Sequence, residues 1–213
     1  MRAEMHSRTA LQWRRAGALV VLMGLAGCVC RLPPDETRDP AVGPARARAE
    51  TAARNLATRL QAHLGEALEA GGTDAAIDVC ATVAQDLTNE IGREEGVVIR
   101  RTALRVRNPR NRPDEFERRV LEEWTAAGRT PEPRAVVLPS NAAAAGSGAA
   151  ELRFMKPIVL AEMCVQCHGP REAMAEAARA VLAEHYPHYE ATGFRPGDLR
   201  GAISVRVPLA PGG

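Results

Sequence analysis

The chain has 213 residues, with 28 Lys and Arg against 26 Asp and Glu, so its formal net charge is +2. Residues 1–27 contain four Arg and one Glu, so a mature chain without them would carry a charge of −1. A nearly neutral chain has no electrostatic basis for binding nucleic acid, and we exclude that class of partner.

The first 27 residues have the pattern of a bacterial lipoprotein signal peptide. Basic residues up to Arg15 precede an apolar run, Ala16–Gly27, which is shorter than the roughly 20 residues of a membrane span. The run ends in Leu25-Ala26-Gly27-Cys28, which resembles a lipobox, so we expect Cys28 to become the acylated first residue. An uncleaved anchor helix is the alternative, but it would need a longer apolar run.

This leader predicts export to the periplasmic side of the cell envelope, where Cys28 would hold the protein on the membrane by its lipid. Residues 28–43, rich in Pro and charge, are expected to form a flexible linker. Free thiols rarely persist in an oxidising compartment without a function. The lipobox uses neither Cys30 nor Cys80, so a Cys30–Cys80 disulfide is one alternative for these two thiols.

The front half of residues 44–210 is predicted to be helical. Leucines at every fourth position indicate an amphipathic helix from Pro44 to Ala70, ended by Gly71-Gly72. A second helix should run from Thr73 to about Ile91. Its apolar stripe comprises Ile77, Cys80, Ala84, Leu87 and Ile91.

The remainder alternates between strands and shorter helices. Asp114 is expected to open a short helix, and an Ala-rich helix should follow Gly169-Pro170 to about Glu184. The predicted strands are Val97–Leu104, Ala135–Leu138, Glu151–Leu160 and Leu199–Leu209, with a mobile hairpin loop at Asn141–Ala150. N-terminal helices followed by an antiparallel sheet predict an α+β fold for one domain, residues 44–210.

Residues 164–168 form the pentapeptide C-x-x-C-H, which is the attachment motif of a c-type haem. Cys164 and Cys167 could each form a thioether with one porphyrin vinyl group, and His168 would then supply the proximal iron ligand. A thioredoxin-like redox pair, half of a zinc site and a structural disulfide are the alternatives for the two cysteines.

Four sequence blocks, in order along the chain, resemble a bacterial family of c-type haem domains. The first block, residues 101–111, follows the pattern R-T-x-L-x-x-R-N-P-x-N. The other blocks are Phe154–Ile158, Tyr186-Pro187 with Ala191–Phe194, and Gly197–Val205. The resemblance implies a PAS-like antiparallel sheet with N-terminal helices packed on it and one covalently bound haem. Because no kinase, cyclase or transmembrane segment follows this domain in the sequence, we expect the stand-alone, exported form of the family.

The sixth iron ligand is open on sequence grounds alone. Candidates are Cys80, His63, His185, His188, Met155, Met163 and Met174, with Lys156 less favoured. Cys80 lies on a helical apolar stripe, where the other interpretation is a small buried hydrophobic residue. The family resemblance implies that Cys80, which follows Ile-x-Val, is the distal ligand. A His/Cys pair would lower the reduction potential, because an anionic donor stabilises ferric iron.

Arg101, Arg105 and Arg107 alternate along the predicted strand, so they should share one face. They could pair with haem propionates, which suit guanidinium forks, or they could form a solvated charged face. The leading hypothesis is a lipid-anchored protein with a single haem c, for electron transfer or redox sensing rather than catalysis. Its partner would be a redox protein or a small diatomic ligand. The competing hypotheses are a periplasmic thiol-disulfide oxidoreductase using Cys164 and Cys167, and a zinc-binding structural module.

Overall fold

The computed structural model describes residues 40–128, 131–140, 149–174 and 176–209. It has an α+β architecture in which an antiparallel sheet has the strand order β1-β4-β3-β2. The strands are β1 Val98–Thr102, β2 Arg134–Pro139, β3 Ala150–Val159 and β4 Leu199–Pro208. The α-helices are α1 Val42–Asp78, α2 Ala84–Glu95, α3 Glu115–Ala126, α4 Val165–His168 and α5 Glu176–His185. The α+β prediction is confirmed.

The two predicted N-terminal helices form one long helical stretch with a break where the glycines were expected to end the first. Gly71 and Gly72 have non-helical backbone angles inside α1, and the φ of Gly72 is 70°. A π-helical segment, Val79–Val83, then separates α1 from α2. Gly96 ends α2 in the left-handed conformation, with a φ of 63°, which glycine adopts without a Cβ clash.

Helices cover both faces of the sheet. On one face, apolar residues of α1 and α2 pack against alternate residues of the strands, including Phe154, Ile203 and Val205. On the opposite face, Val120, Leu121 and Trp124 of α3 pack against Met155 and Ala202. The predicted packing of N-terminal helices on the sheet is therefore present, and α3 adds a third layer.

The local sequence of α3 explains why it begins where it does. Asp114 is the N-cap, and its Oδ1 accepts a hydrogen bond from the Glu117 backbone N–H at 2.8 Å. The Glu117 carboxylate accepts in return from the Asp114 backbone N–H at 3.0 Å, which completes a capping box. The predicted start of this helix at Asp114 is confirmed.

The strand predicted at Val97–Leu104 is shorter than expected. The Ala103 N–H donates to the carbonyl of Asn111 at 3.2 Å instead of to a strand, so β1 ends at Thr102. The prediction that Arg105 and Arg107 alternate along this strand with Arg101 is therefore wrong.

Several predictions lie outside the described residues. These are the signal peptide at 1–27, the lipidation of Cys28, nearly all of the linker at 28–43, and most of the hairpin loop at 141–150. Within the described ranges, no helix is both long and apolar enough to cross a membrane.

Candidate functional site

A cavity of about 260 Å³ lies on the sheet face that α1 covers. Leucines of the predicted four-residue repeat form its apolar wall, with Leu60, Leu64 and Leu68 lining it from α1. Ile77, fully buried, comes from the same helix beyond the glycine break. Ile203 of β4 closes the sheet side. The leucine repeat of α1 therefore forms one wall of a cavity in addition to packing in the core.

The C-x-x-C-H residues are brought to this cavity by a short helical segment. Cys164 ends a 3₁₀ turn and α4 carries the rest of the motif, so that Cys164, Cys167 and His168 all line the cavity. Gly169 follows because a Cβ there would lie 2.6 Å from the Val165 carbonyl oxygen. The backbone N–H of Phe194 donates to the His168 carbonyl at 2.9 Å and fixes the segment.

His168 is held in a form suited to binding a metal. Its Nδ1 lies 3.0 Å from the carbonyl oxygen of Ala191, and a proton on Nδ1 would be donated to that oxygen. Burial, and then the charges of Arg107 and Arg200, lower the pKa of His168 well below its ordinary value. The imidazole is therefore neutral near pH 7. With Nδ1 protonated, the lone pair on Nε2 is available to a metal ion.

The guanidinium of Arg107 contacts the same motif. Its Nη2 donates to the carbonyl oxygen of Cys167 at 2.5 Å and lies 3.2 Å from His168 Nδ1. Both groups are donors when Nδ1 carries the proton, so the bond to Cys167 is the one compatible with that tautomer. Arg107 thereby connects the loop after β1 to the C-x-x-C-H motif.

Cys80 lines the same cavity from the opposite element, the π-helical segment. The Tyr186 hydroxyl donates to the Cys80 carbonyl at 3.3 Å, which connects this segment to the residue that follows α5. π-Bulges commonly occur at functional sites because they displace one residue from the regular helical stripe. The sequence pattern predicts the helix here but does not reveal the bulge.

The other candidates for the sixth ligand lie elsewhere, apart from Met163. The cavity lining includes Met163, which is 46 % exposed, but none of His63, His185, His188, Met155, Met174 and Lys156. His185 Nε2 instead lies 3.1 Å from Asp78 Oδ1. Met155 is buried against α3 on the other face of the sheet. Of the residues that line the cavity, Cys80 is the thiol outside the C-x-x-C-H motif.

The three arginines predicted to share a face are separated. Arg101 and Arg107 line the cavity, but Arg105 does not. Its guanidinium lies 4.2 Å above the centre of the Phe194 ring, and its Nε donates to the Glu190 carbonyl at 3.2 Å. This follows from the early end of β1, since the strand alternation no longer applies to Arg105.

Arg200 lines the cavity as well, and the sequence analysis missed it. The pairing of β3 with β4 shifts between Ile158 and Val159, whose partners are Gly201 and Leu199. Arg200 therefore has no partner in β3, as expected for a β-bulge, which redirects a side chain locally. The G-D-L-R-G block contained Arg200, but only the strand register reveals its position.

These cavity arginines lack acidic partners. Within the described ranges, none of Arg101, Arg107 and Arg200 forms an ion pair with a carboxylate. The Nε atoms of Arg107 and Arg200 are buried without a hydrogen-bond partner in that part of the chain. Burial lowers the pKa of all three, and together with Arg107 and Arg101 it brings the pKa of Arg200 to about 10. Cations that are partly or fully buried without an acidic partner are costly, so the cavity is suited to an anionic group.

Fold and site together define an α+β domain whose apolar cavity gathers thiols, one neutral imidazole and unpaired guanidinium groups. The model of the Tll0287-like family matches residues 9–208, and the chain belongs to that family. The chain is also similar to the crystal structure of the cyanobacterial heme-protein Tll0287, with a TM-score of 0.52 and 23 % identity. That match covers 84 % of this chain and 98 % of the cyanobacterial one. No curated protein matches this chain.

Proposed function

We propose that this protein binds one haem c in the cavity, attached through Cys164 and Cys167, with His168 as the proximal ligand. The observation that carries the proposal is the convergence of these residues and Cys80 on one apolar cavity from separate elements. The cyanobacterial protein of similar structure is a heme-protein, which supports the same cofactor. The neutral imidazole of His168, with Nδ1 at the Ala191 carbonyl, leaves Nε2 available as the ligand atom.

The polar residues of the cavity fit the two propionate groups of a haem. Arg107 and Arg200 each have a buried Nε without a partner in the described chain, and carboxylates satisfy such donors well. Arg101 lines the same cavity and adds a third positive charge. We therefore assign Arg101, Arg107 and Arg200 to the propionates. Arg105 is not assigned to them, because it does not line this cavity.

Cys80 is the distal ligand in this proposal. It is carried by a helical segment whose neighbour Ile77 is fully buried, and an apolar site favours a soft thiolate ligand over water. Bound haem supplies one-electron transfer between ferric and ferrous iron. The chain would contribute a neutral imidazole, a cysteine sulfur and positively charged arginines, which together tune that couple.

We place this protein in redox sensing or electron transfer at the cell envelope, in a PAS-like domain anchored by a lipid on Cys28. A His/Cys pair leaves no open coordination position, which suits these roles better than catalysis. Release of Cys80 on reduction would admit a small diatomic ligand. A redox partner protein is the other candidate partner.

A thiol-disulfide oxidoreductase is less well supported by the site. Burial is the main cause that raises the pKa of Cys167 above its ordinary value. A reactive thiol of such an enzyme requires the opposite shift, because the thiolate is the nucleophile. For the zinc-module hypothesis, the described residues contain no group of three or more His, Cys, Asp or Glu that could hold a metal ion.

The test of the proposal is an absorption spectrum of the full chain produced with the c-type haem maturation machinery. A Soret band that survives denaturation and acid-acetone extraction supports covalent haem, and its absence contradicts the proposal. Cys80→Ser should move the ferric haem from low spin towards high spin and raise its midpoint potential. Unchanged bands in Cys80→Ser would exclude Cys80 as a ligand while leaving the attachment intact.

The lipid anchor is tested separately. Cys28→Ser should release the protein from the membrane fraction, or block its processing, without altering the haem spectrum, because lipid and haem use different cysteines. Continued fractionation of Cys28→Ser with membranes would contradict the lipobox assignment.

A further inference from the structure

A second cavity, of about 710 Å³, lies on the face of the sheet that α3 covers. Of its lining residues, the haem proposal uses only Arg200. Its wall combines α3, the start of β4 and the two loops that precede them. The lining includes Leu104, Arg105, Leu121, Trp124, Phe194 and Arg200.

Two guanidinium groups meet at one end of this second cavity. Arg105 lies 4.2 Å and Arg200 5.5 Å from the centre of the Phe194 ring. Arg200 Nη1 donates to the Arg105 carbonyl at 3.1 Å, while its buried Nε has no partner among the described residues. Neither arginine pairs with a carboxylate in the described ranges. Two like charges beside one ring repel each other, so an anion placed between them would be stabilised.

The carboxylate in the lining of this cavity does not supply that anion. Asp198 Oδ2 accepts a hydrogen bond from the Arg195 backbone N–H at 2.7 Å, within its own turn. Its charge would weaken anion binding somewhat, but it does not neutralise Arg105 or Arg200 in the structure.

The remainder of the wall is apolar. Leu104 is 37 % exposed, and it lines the cavity together with Trp124 and Phe194. Leu121 and Leu199 complete this wall. A ligand here would bury carbon against aromatic and aliphatic side chains while its charged end met the arginines.

We propose that the second cavity binds a small organic carboxylate with an aromatic or apolar body, held by Arg105 and Arg200. The carboxylate would accept charge-assisted hydrogen bonds from the two guanidinium groups. The body would lie against Leu104, Trp124 and Phe194. The site shares Arg200 with the haem cavity, whereas Leu104, Arg105, Trp124 and Phe194 line the second cavity alone.

Arg200 connects the two cavities, because it lines both. Phe194 makes an edge-to-face contact with His168, with ring centres 6.4 Å apart, and Arg200 acts electrostatically on His168. An anion bound to Arg200 would offset this positive charge. This step rests on the proposed haem: when haem is bound, occupancy of the second cavity lowers the midpoint potential of the haem.

The experiment is calorimetric titration of the full haem-loaded chain with phenylacetate. The neutral isostere 2-phenylacetamide and simple acetate serve as comparison ligands. Phenylacetate should bind more tightly than either, because it provides both the charge and the aromatic body. Arg105→Gln should weaken phenylacetate binding about tenfold or more, as expected for one lost charge-assisted hydrogen bond. Arg105→Lys should retain part of the affinity.

Arg119→Gln is the matched control, since Arg119 is an exposed residue of α3 and does not line the cavity. Equal weakening in Arg119→Gln, equal binding of phenylacetamide, or no heat at millimolar phenylacetate would overturn the site. Potentiometry at saturating phenylacetate then tests the connection, and an unchanged potential would contradict that step alone. If no haem attaches, titration of the haem-free chain still decides whether the carboxylate binds.

Discussion

The arginines on the two faces of the sheet differ in their carboxylate partners. On the α3 face, Arg153 is 3 % exposed. Its Nη2 lies 2.6 Å from Asp114 Oδ2 and 3.7 Å from Glu117 Oε1, and its Nη1 lies 3.8 Å from Glu151 Oε1. On the α1 face, Arg101 and the other cavity arginines have no carboxylate partner in the described chain. Arg153 therefore has three acidic partners, whereas the buried Arg107 and the half-buried Arg101 and Arg200 have none in the described chain.

This contrast separates structural charge from charge kept for a ligand. Removing one partner from a buried ionic group is strongly destabilising, so a network such as that of Arg153 contributes to the fold only while it is complete. An uncompensated buried cation lowers stability by itself and persists where another molecule supplies the anion. The comparison therefore supports the α1 face as the cofactor side.

The largest expected effect is on the compensated face. Glu117→Gln should lower the free energy of unfolding by about 3 kcal/mol, because Arg153 and Arg100 lose a buried anionic partner. Urea unfolding of the purified protein measures the change. The haem spectrum should stay the same, since Glu117 does not line the haem cavity.

Glu122→Gln is the control for that experiment, because Glu122 pairs with Arg118 on the exposed surface of the same helix. Exposed pairs of this kind contribute little, and we expect a change below about 0.5 kcal/mol. Equal effects of the two substitutions would mean that burial does not distinguish the two ionic groups.

On the cavity face, the same kind of change should act on the haem rather than on folding. Arg101→Gln removes a positive charge from the lining of the haem cavity and should lower the midpoint potential, because ferric iron becomes easier to stabilise. Potentiometric titration measures the shift. Arg112→Gln, an exposed loop substitution, is the matched control and should leave the potential unchanged. An unchanged potential in Arg101→Gln would mean that the charge of Arg101 does not act on the iron.

Local chemistry in the sequence was enough to predict most of the helices and strands. The capping residues Asp114 and Glu117 specify the start of α3, and Gly71-Gly72 specify the break in α1, because each acts within one turn of chain. The C-x-x-C-H motif likewise consists of five consecutive residues and can be recognised without knowledge of the fold. These features depend on near neighbours, so the sequence contains the information directly.

Features that depend on distant contacts could not be read in this way. The end of β1 depends on the bond between Ala103 and Asn111, which redirects Arg105 to Phe194. Arg200 reaches the haem cavity through a bulge that depends on the register of β3 with β4. The thiols and the imidazole that the sequence singles out line one cavity, whereas Arg105, which it also singles out, does not, and Arg200, which it does not, lines that cavity.

A smaller effect concerns the pH dependence of the compensated face. Burial would raise the pKa of Asp114, but the Glu117 N–H and Arg153 outweigh it and hold this pKa below its ordinary value of 3.8. The stabilisation is therefore complete above about pH 4 and is lost as the pH falls through the lowered pKa. Asp114→Asn, which keeps a good N-cap, should cost about 1.5 kcal/mol at pH 7.

The measurement is the difference in unfolding free energy between the original chain and Asp114→Asn as a function of pH. This difference should shrink as the pH falls below about 4, because Asp114 is protonated first in the unfolded chain and then, at its lowered pKa, in the folded chain. A difference that stays constant down to pH 2.5 would show that the charge of Asp114 is not what stabilises Arg153.

The smallest effect distinguishes two buried tyrosines on the cavity side. The Tyr186 hydroxyl donates to the Cys80 carbonyl, whereas the buried Tyr189 hydroxyl has no hydrogen-bond partner in the described chain. Tyr186→Phe should lower the free energy of unfolding by about 0.5–1 kcal/mol, and Tyr189→Phe should leave it unchanged or raise it. Because Tyr186 also positions the Cys80 segment, Tyr186→Phe alone should alter the ratio of low-spin to high-spin ferric haem. Identical spectra and stabilities in the two variants would mean that this hydrogen bond does not hold Cys80 in place.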